Sequence, residues 1–222
     1  MENSVVIVNG VRTPMGGFQG DLAGVSSPDL GATVIKEAVN RAGIEPNEVD
    51  EVIMGSILTA GVGQSPARQA MRKAGLPDST GAVNLNKLCG SGMKAIMMAS
   101  DEIRAGSIDI AVAGGMESMT NAPYVLAKAR GGFRMGHGEI KDTMFLDGLE
   151  DAETGKLMGV FAQEMADTLG ITREEMDAFA IESLKRANNA ITSGHFKDEI
   201  VPVTIKGRSG DTVVDTDEQP AK

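Results

Sequence analysis

The chain has 222 residues, of which 41% are hydrophobic and 28 are glycine, so it can bury a sizeable core and make many tight turns. Its formal net charge of −10 argues against nucleic acid or an anionic membrane surface as the main partner. One cysteine excludes an internal disulfide framework and fits a reducing compartment, and Cys89, His137 and His195 lie too far apart to resemble a metal-binding spacing.

The N-terminal stretch, MENSVVIVNG, lacks the basic start of a signal peptide, and no apolar run is long enough to span a bilayer, so we expect a cytoplasmic protein.

Residues 5–8 form a β-branched run that predicts a first strand. A helix is then predicted from Ser27, acting as N-cap, with Pro28 in its first turn and Gly43 closing it.

Strands and helices alternate with short connections in the next part of the chain. Three further strands are predicted, at residues 52–57, 82–85 and 109–113. Ser65 repeats the helix-start signal, and Gly75 ends that helix. From about Cys89 a helix runs to Arg104, and because its first turns are apolar almost all round, we expect burial on every side. The alternation predicts an α/β fold with a mostly parallel sheet covered by helices.

After Tyr124 the pattern changes. The stretch AKARGGFRMGHGEIKD is glycine-rich and without periodicity, so it predicts an extended excursion. A helical stripe of apolar residues follows, at Met158, Phe161, Met165 and Leu169. Thr172 and Glu175 form a capping box for a long helix that continues through Ile191. The remaining tail predicts two strands joined by a glycine turn.

Cys89 lies where open α/β sheets form their sites, after a strand and before a helix. A helix N-terminus offers partial positive charge and unpaired N–H groups, which favour thiolate over thiol. Gly90 and Gly92 leave room for a substrate carbonyl, and the Cys89 N–H could help to stabilise an oxyanion. The pattern predicts a nucleophile elbow with sulfur as the nucleophile. The competing interpretation is an inert cysteine buried in the core.

Four motifs carry a resemblance that runs along essentially the whole chain. NKLCGSGMKA and AVAGGMESMTNAPY are the most specific, and VRTPMGGFQG and GQSPARQA support them. Together they resemble the thiolase family, and in particular the N-terminal part of an acetyl-CoA C-acetyltransferase. The resemblance implies a thiolase N-terminal domain at residues 1–119, with a mostly parallel five-stranded sheet, and a mainly helical, incomplete loop domain at residues 120–222.

The resemblance also implies a reaction. Cys89 would take an acyl group from acyl-CoA as a thioester, and a second acetyl-CoA would attack it to give acetoacetyl-CoA; the reverse reaction is thiolysis. CoA thioesters would be the substrates, within fatty acid metabolism, and no cofactor is implied. Met158 would line the acyl pocket. Many acetoacetyl-CoA thiolases have histidine where this chain has Leu157, so the resemblance leaves strict short-chain specificity open.

Two features of the family bear on completeness and assembly. A histidine in a Gly-His-Pro motif and a second cysteine in a Cys-x-Gly-Gly motif lie in the family's second half. This chain has neither, so we expect a fragment that lacks the second catalytic half, requires it for activity and is inactive alone. The excursion KARGGFRMGHGE resembles the arm that joins thiolase dimers, which implies a homodimer or homotetramer; a solvated mobile loop is the alternative.

Two other classes of function stay open at this stage. The chain could be a non-catalytic interaction or regulatory module that keeps the fold but lacks the base. It could also bind a nucleotide, because the glycines of GVGQSPARQ precede a helix N-terminus that can cradle phosphate. The second signal is weak, since the stretch has neither a P-loop lysine nor a G-x-G-x-x-G pattern.

Overall fold

The computed structural model describes residues 4–208 and 210–222. Its centre is a sheet of three parallel strands, β1 (Glu51–Gly55), β2 (Gly81–Leu85) and β3 (Ala111–Gly115). The strand order is β2-β1-β3, so β1 has a hydrogen-bonded neighbour on both sides. Parallel pairing requires crossover connections, and helices provide them here. The predicted parallel sheet flanked by helices is therefore confirmed.

Five α-helices accompany the sheet in the described part of the chain: α1 (Ser27–Ala42), α2 (Pro66–Lys73), α3 (Ser91–Arg104), α4 (Met158–Leu169) and α5 (Arg173–Thr192). Two short antiparallel pairs complete it: β4 (Tyr124–Val125) with β5 (Lys141–Asp142), and β6 (Val203–Ile205) with β7 (Thr212–Val214). Among the described residues, no helix combines the length and the apolar composition that crossing a membrane would need.

The alternation of side chains along β1 divides the core into two layers. Val52 and Met54 are fully buried against α1 and α2, in a cluster that includes Ile35 and Met71. Ile53 faces the other side, where it packs with Ala95 and Ala99 of α3. Successive side chains of a strand point to opposite faces, so one strand fills both layers. The sheet thus lies between α1–α2 and α3.

The prediction of a strand at residues 5–8 is wrong, and the described sheet has three strands rather than five. Val6, Ile7 and Val8 are 69%, 80% and 70% exposed and belong to no strand. Strand propensity mostly reports packing against neighbours, and this segment pairs with none of the described strands.

The apolar character of α3 also misled the sequence reasoning. Only its sheet-facing side is buried, whereas Met93, Ile96 and Met97 are about half exposed or more. The apolar residues on every side of the helix predict that other elements cover it completely. In the described part of the chain, the sheet covers one face of α3. Small side chains on that face, such as Ala95 and Ala99, allow the helix to approach the sheet closely.

Helix ends follow the predicted signals with two corrections. The N-cap of α1 is Ser26 rather than Ser27, and its hydroxyl accepts the N–H of Asp29. Ser65 makes no side-chain cap for α2 and adopts a left-handed conformation. Gly43 caps α1 in the left-handed region, as predicted. The capping box of Thr172 and Glu175 is formed at both of its hydrogen bonds.

The two ends of the described chain are joined by ion pairs. Arg12, from the VRTPMGGFQG motif, donates to both carboxylate oxygens of Asp217 at 2.7 and 2.9 Å and to Glu199 at 2.6 Å. Asp217 also accepts the Met15 N–H, and Arg12 holds the pKa of that carboxyl below its usual value. A bidentate, partly buried pair of this kind fixes geometry as well as charge.

The glycine-rich excursion leaves the body of the protein through the β4–β5 pair. Residues 127–139 are exposed throughout, and Met135 is 96% exposed. The predicted stripe on α4 is formed but faces outward, since Met158, Phe161, Met165 and Leu169 are each more than a third exposed. The predicted helix is therefore confirmed, and its apolar stripe lies on the exposed side of α4.

Candidate active site

The carboxyl ends of the three parallel strands meet at one edge of the sheet. There the Ser56 N–H donates to Leu85 O, and the Met116 N–H donates to Gly55 O, both at 3.0 Å. The chain leaving β2 leads directly into the turn that carries Cys89 and then into α3. Sites in open α/β sheets form at this edge because loops and helix N-termini converge on it. The sequence-based placement of Cys89 at such an edge agrees with the structure.

The turn before α3 is held by short local hydrogen bonds. Leu88 has a φ of +49°, a conformation that costs energy for a residue with a side chain. Its N–H donates to the Asn86 carboxamide at 2.9 Å. The Ser91 hydroxyl accepts the Lys87 N–H at 2.8 Å and donates to Leu88 O at 2.6 Å. Leu88, the residue immediately before Cys89, therefore has a strained backbone conformation, and hydrogen bonds hold both its N–H and its carbonyl oxygen.

Cys89 lies just ahead of Gly90, the N-cap of α3, so the helix begins slightly later than predicted. Its side chain is exposed. This finding rules out the alternative that Cys89 is an inert core cysteine. An exposed sulfur beside a helix N-terminus is accessible to an electrophile, and unpaired backbone N–H groups of the first helical turn lie close to it.

The site also depends on a glycine, Gly55, that the sequence analysis did not identify. A Cβ on Gly55 would lie 2.6 Å from the Ser91 carbonyl carbon and 2.8 Å from the Gly92 nitrogen. At Gly92 itself a Cβ would meet Gly114 and Gly115 only at 3.9 Å, an ordinary contact. Gly55 is thus what lets the start of α3 pack onto β1. The signal was available as a glycine at the end of a buried strand.

The two other predicted site residues lie at the start of α4. Leu157 is the N-cap position of α4, Met158 is its first residue, and the two are 40% and 46% exposed. Leu157 also forms an isolated antiparallel bridge with Glu150. No hydrogen bond or ion pair between the described residues joins them to Cys89. Both histidines are exposed, His137 on the excursion and His195 after α5.

Glu117 is a functional candidate that the sequence reasoning missed. It follows β3 at the same edge of the sheet, and its carboxylate accepts the N–H groups of Ile57 at 2.7 Å and Leu58 at 3.1 Å. The Ser56 hydroxyl lies 3.4 Å from it. The available signal was an acidic residue directly after the glycines of AVAGGMESM, where a strand ends.

The phosphate-binding alternative gains no support from the loop before α2. The Ala67 N–H in the first turn of α2 donates to the Asn84 carboxamide at 2.7 Å. The Gln69 carboxamide donates to Val62 O and Gln64 O and so closes the loop on itself. Groups that would have to bind a phosphate are thus used internally.

In the described part of the chain, no group of three His, Cys, Asp or Glu side chains could hold a metal ion.

The family model described as Thiolase, N-terminal domain matches residues 5–222. The chain belongs to the thiolase family. Among its curated relatives are acetyl-CoA acetyltransferases of Pseudomonas aeruginosa, Syntrophomonas wolfei and Cupriavidus necator, which are 51%, 50% and 53% identical to it. These matches cover 97%, 100% and 94% of this chain but only 55%, 57% and 53% of the relatives. The chain spans about half the length of the curated relatives it matches.

Membership confirms the resemblance drawn from the two central motifs. In this thiolase domain they meet at the same edge of the sheet, because NKLCGSGMKA follows β2 and AVAGGMESM contains β3 and the residues just after it. NKLCGSGMKA forms the Cys89 turn and the start of α3, and AVAGGMESM forms β3 and the Glu117 anchor. The edge therefore combines an accessible sulfur with a loop fixed by a carboxylate.

Proposed function

We propose that this thiolase domain accepts an acyl group from acetyl-CoA on Cys89. One observation carries the proposal: the thiol is exposed, on a strained turn, immediately before the N-terminus of α3. Such a position gives an incoming thioester access to sulfur and offers backbone N–H groups for the charge that develops. The relatives named acetyl-CoA acetyltransferase support acetyl-CoA as the acyl donor.

In the proposed step the Cys89 thiolate attacks the thioester carbonyl carbon. A new C–S bond forms to Cys89, the C–S bond to CoA breaks, and CoA leaves as a thiolate that takes up a proton. One thioester replaces another, so no oxidant, reductant or cofactor is consumed. In the second step, the methyl carbon of another acetyl-CoA, after loss of a proton, displaces Cys89 and gives acetoacetyl-CoA. Thiolysis is the same sequence in reverse.

The second step needs a base for the methyl proton, and we infer that it is supplied by protein outside the motifs of this chain. His137 and His195 are exposed on other parts of the protein, and neither lies in the turn that holds Cys89. General acid–base help contributes about 10²–10⁴-fold in rate. We accordingly propose that this chain alone takes up the acyl group but does not turn over, and that a partner half completes the reaction.

We also propose the remaining features of the site and its assembly. Leu157 and Met158 line the acyl pocket, since they begin α4 and expose apolar surface. The division into residues 1–119 and 120–222 is kept as a proposal. The projecting β4–β5 excursion fits a contact between copies in a homo-oligomer. A single exposed thiol in the role of nucleophile favours a reducing, cytoplasmic location.

The test is direct acylation of the purified chain by acetyl-CoA. After a brief acid quench, intact-mass spectrometry should show one added acetyl group that hydroxylamine removes, and Cys89→Ser should lose it. Lys87 and Lys94 flank the site and act as internal controls, because acetyl groups on lysine are amides that resist hydroxylamine. Label confined to lysine would overturn the acyltransferase proposal and favour the non-catalytic module.

A further inference from the structure

The feature that the proposed reaction leaves unexplained is the carboxylate of Glu117. It stands at the end of β3 but binds the chain that leaves β1, through the N–H groups of Ile57 and Leu58 at 2.7 and 3.1 Å. Hydrogen bonds to a charged acceptor are about twice as strong as neutral ones. The carboxylate therefore fixes the direction in which the chain leaves the central strand.

The segment that Glu117 fixes is a packing surface for a distant part of the chain. Leu58 is buried, at 5% exposure. A Cβ built on Gly148 would lie 3.6 Å from the Leu58 side chain and 4.0 Å from that of Ile57. The π-helical turn at Phe145–Leu149 thus passes next to the two side chains whose backbone Glu117 holds.

That turn leads straight to the proposed acyl pocket. The Glu150 N–H donates to Phe145 O at 2.8 Å, which closes the turn. Glu150 then pairs with Leu157 in an antiparallel bridge, and the Asp151 N–H donates to Lys156 O at 2.9 Å. Leu157 is the residue before α4. Hydrogen bonds, one close approach at Gly148 and a strand-like bridge therefore link Glu117 stepwise to the start of α4.

We propose that Glu117 is a positioning residue that sets the acyl-chain selectivity of the site by fixing Leu157 and Met158. The inference rests on the proposed acyl transfer to Cys89. The turn that carries Cys89 is held by a different set of hydrogen bonds, those of Asn86 and Ser91. Loss of the Glu117 carboxylate should thus alter which acyl group is accepted, while the reactivity of the sulfur stays the same.

The first experiment compares Glu117→Gln with the wild-type chain. The amide keeps the size of the side chain but places an NH₂ group against N–H donors, so one anchor is lost. Rate constants for Cys89 acylation by acetyl-CoA and hexanoyl-CoA give a selectivity ratio. We expect that ratio to change by about tenfold, the lower end of what a pocket discriminates per methylene. Alkylation by iodoacetamide, which needs only an accessible sulfur, should change less than twofold. The control is Glu174→Gln, at an exposed carboxylate in the first turn of α5.

The second experiment does not depend on activity. Hydrogen exchange of the amides of Glu150 and Asp151 should accelerate in Glu117→Gln and not in Glu174→Gln. Acceleration confined to residues 57 and 58 would overturn the proposal, because Glu117 would then act only locally. Leu58→Ala removes the packing against Gly148 but keeps the carboxylate, and should reproduce both the selectivity change and the faster exchange. It decides the matter if Glu117→Gln fails to fold.

The two proposals fail in different ways. If neither thioester acylates the wild-type chain, the proposed acyl transfer is wrong, and the exchange data still decide whether Glu117 controls residues 145–158. If the wild-type chain is acylated and the ratio is the same in Glu117→Gln, the positioning role is refuted while the acyl transfer stands.

Discussion

Replacing Gly55 by alanine should destabilise the protein and displace Cys89 at the same time. The added Cβ would lie 2.6 Å from the Ser91 carbonyl carbon and Cβ and 2.8 Å from the Gly92 nitrogen, well inside ordinary contact. Most of these are backbone atoms, so the clash cannot be relieved by rotating a side chain. Overpacking of this kind typically costs about 1–3 kcal/mol. For a chain of this size, each kcal/mol lowers the melting temperature by about 2–4 °C.

The assay pairs thermal unfolding with the rate of Cys89 alkylation by iodoacetamide. Gly92→Ala is the matched control, because it lies in the same contact but would meet its neighbours only at 3.9 Å. Alanine is favoured over glycine in helices by about 0.5–1 kcal/mol, so this control should melt at the wild-type temperature or slightly above it. The reasoning is refuted if Gly55→Ala melts with the wild type and alkylates at the same rate.

Three further outcomes are expected. Arg12→Lys keeps the charge but loses the bidentate hydrogen bonding to Asp217, and should lower the free energy of unfolding by about 1–3 kcal/mol in urea titrations. An unchanged urea midpoint would contradict this expectation. The pKa of Glu218 is lowered to about 2, chiefly by the ammonium of Lys222, so its contribution is complete above the unfolded pKa near 4.5 and is lost as pH falls toward 2. Melting temperatures of Glu218→Gln should therefore lie below the wild type at pH 7 and converge with it at pH 2, whereas a constant gap would be inconsistent with this linkage. Leu157 should permit acyl chains longer than acetyl, and Leu157→His should reduce hexanoyl transfer to Cys89 relative to acetyl transfer. If the hexanoyl-to-acetyl ratio of transfer rates is the same in the variant and the wild type, Leu157 does not line the pocket.

The elements that the sequence predicted correctly depend on neighbours a few residues away. The left-handed Gly43 cap and the capping box of Thr172 and Glu175 belong to this group, since each joins positions within one helical turn. The strands at the sheet centre were also recognised, with ends shifted by two residues or fewer. Their flanking glycines and β-branched runs are local signals. The placement of Cys89 followed from the same local order of strand, turn and helix.

Errors arose where a pattern was taken to mean burial. Residues 5–8 have the composition of a strand, and α3 has the composition of a helix buried on every side, yet many of their apolar side chains are exposed in the described structure. Periodicity reports which residues share a face of an element. It does not report whether another element covers that face, because the covering residues are distant in sequence.

The sequence by itself determined the order of the three central strands and of the five α-helices, the family, and the residue that carries the proposed chemistry. Only the tertiary structure decided that Gly55 must lack a side chain, that Glu117 holds the segment leaving β1, and that Arg12 pairs with Asp217. Arg12 and Asp217 are 205 positions apart, and Glu117 and Ile57 are 60 apart. Each contact exists because folding brings remote segments within a few ångströms of each other. A pattern within one stretch of residues cannot identify the contacting residue, because that residue lies elsewhere in the sequence.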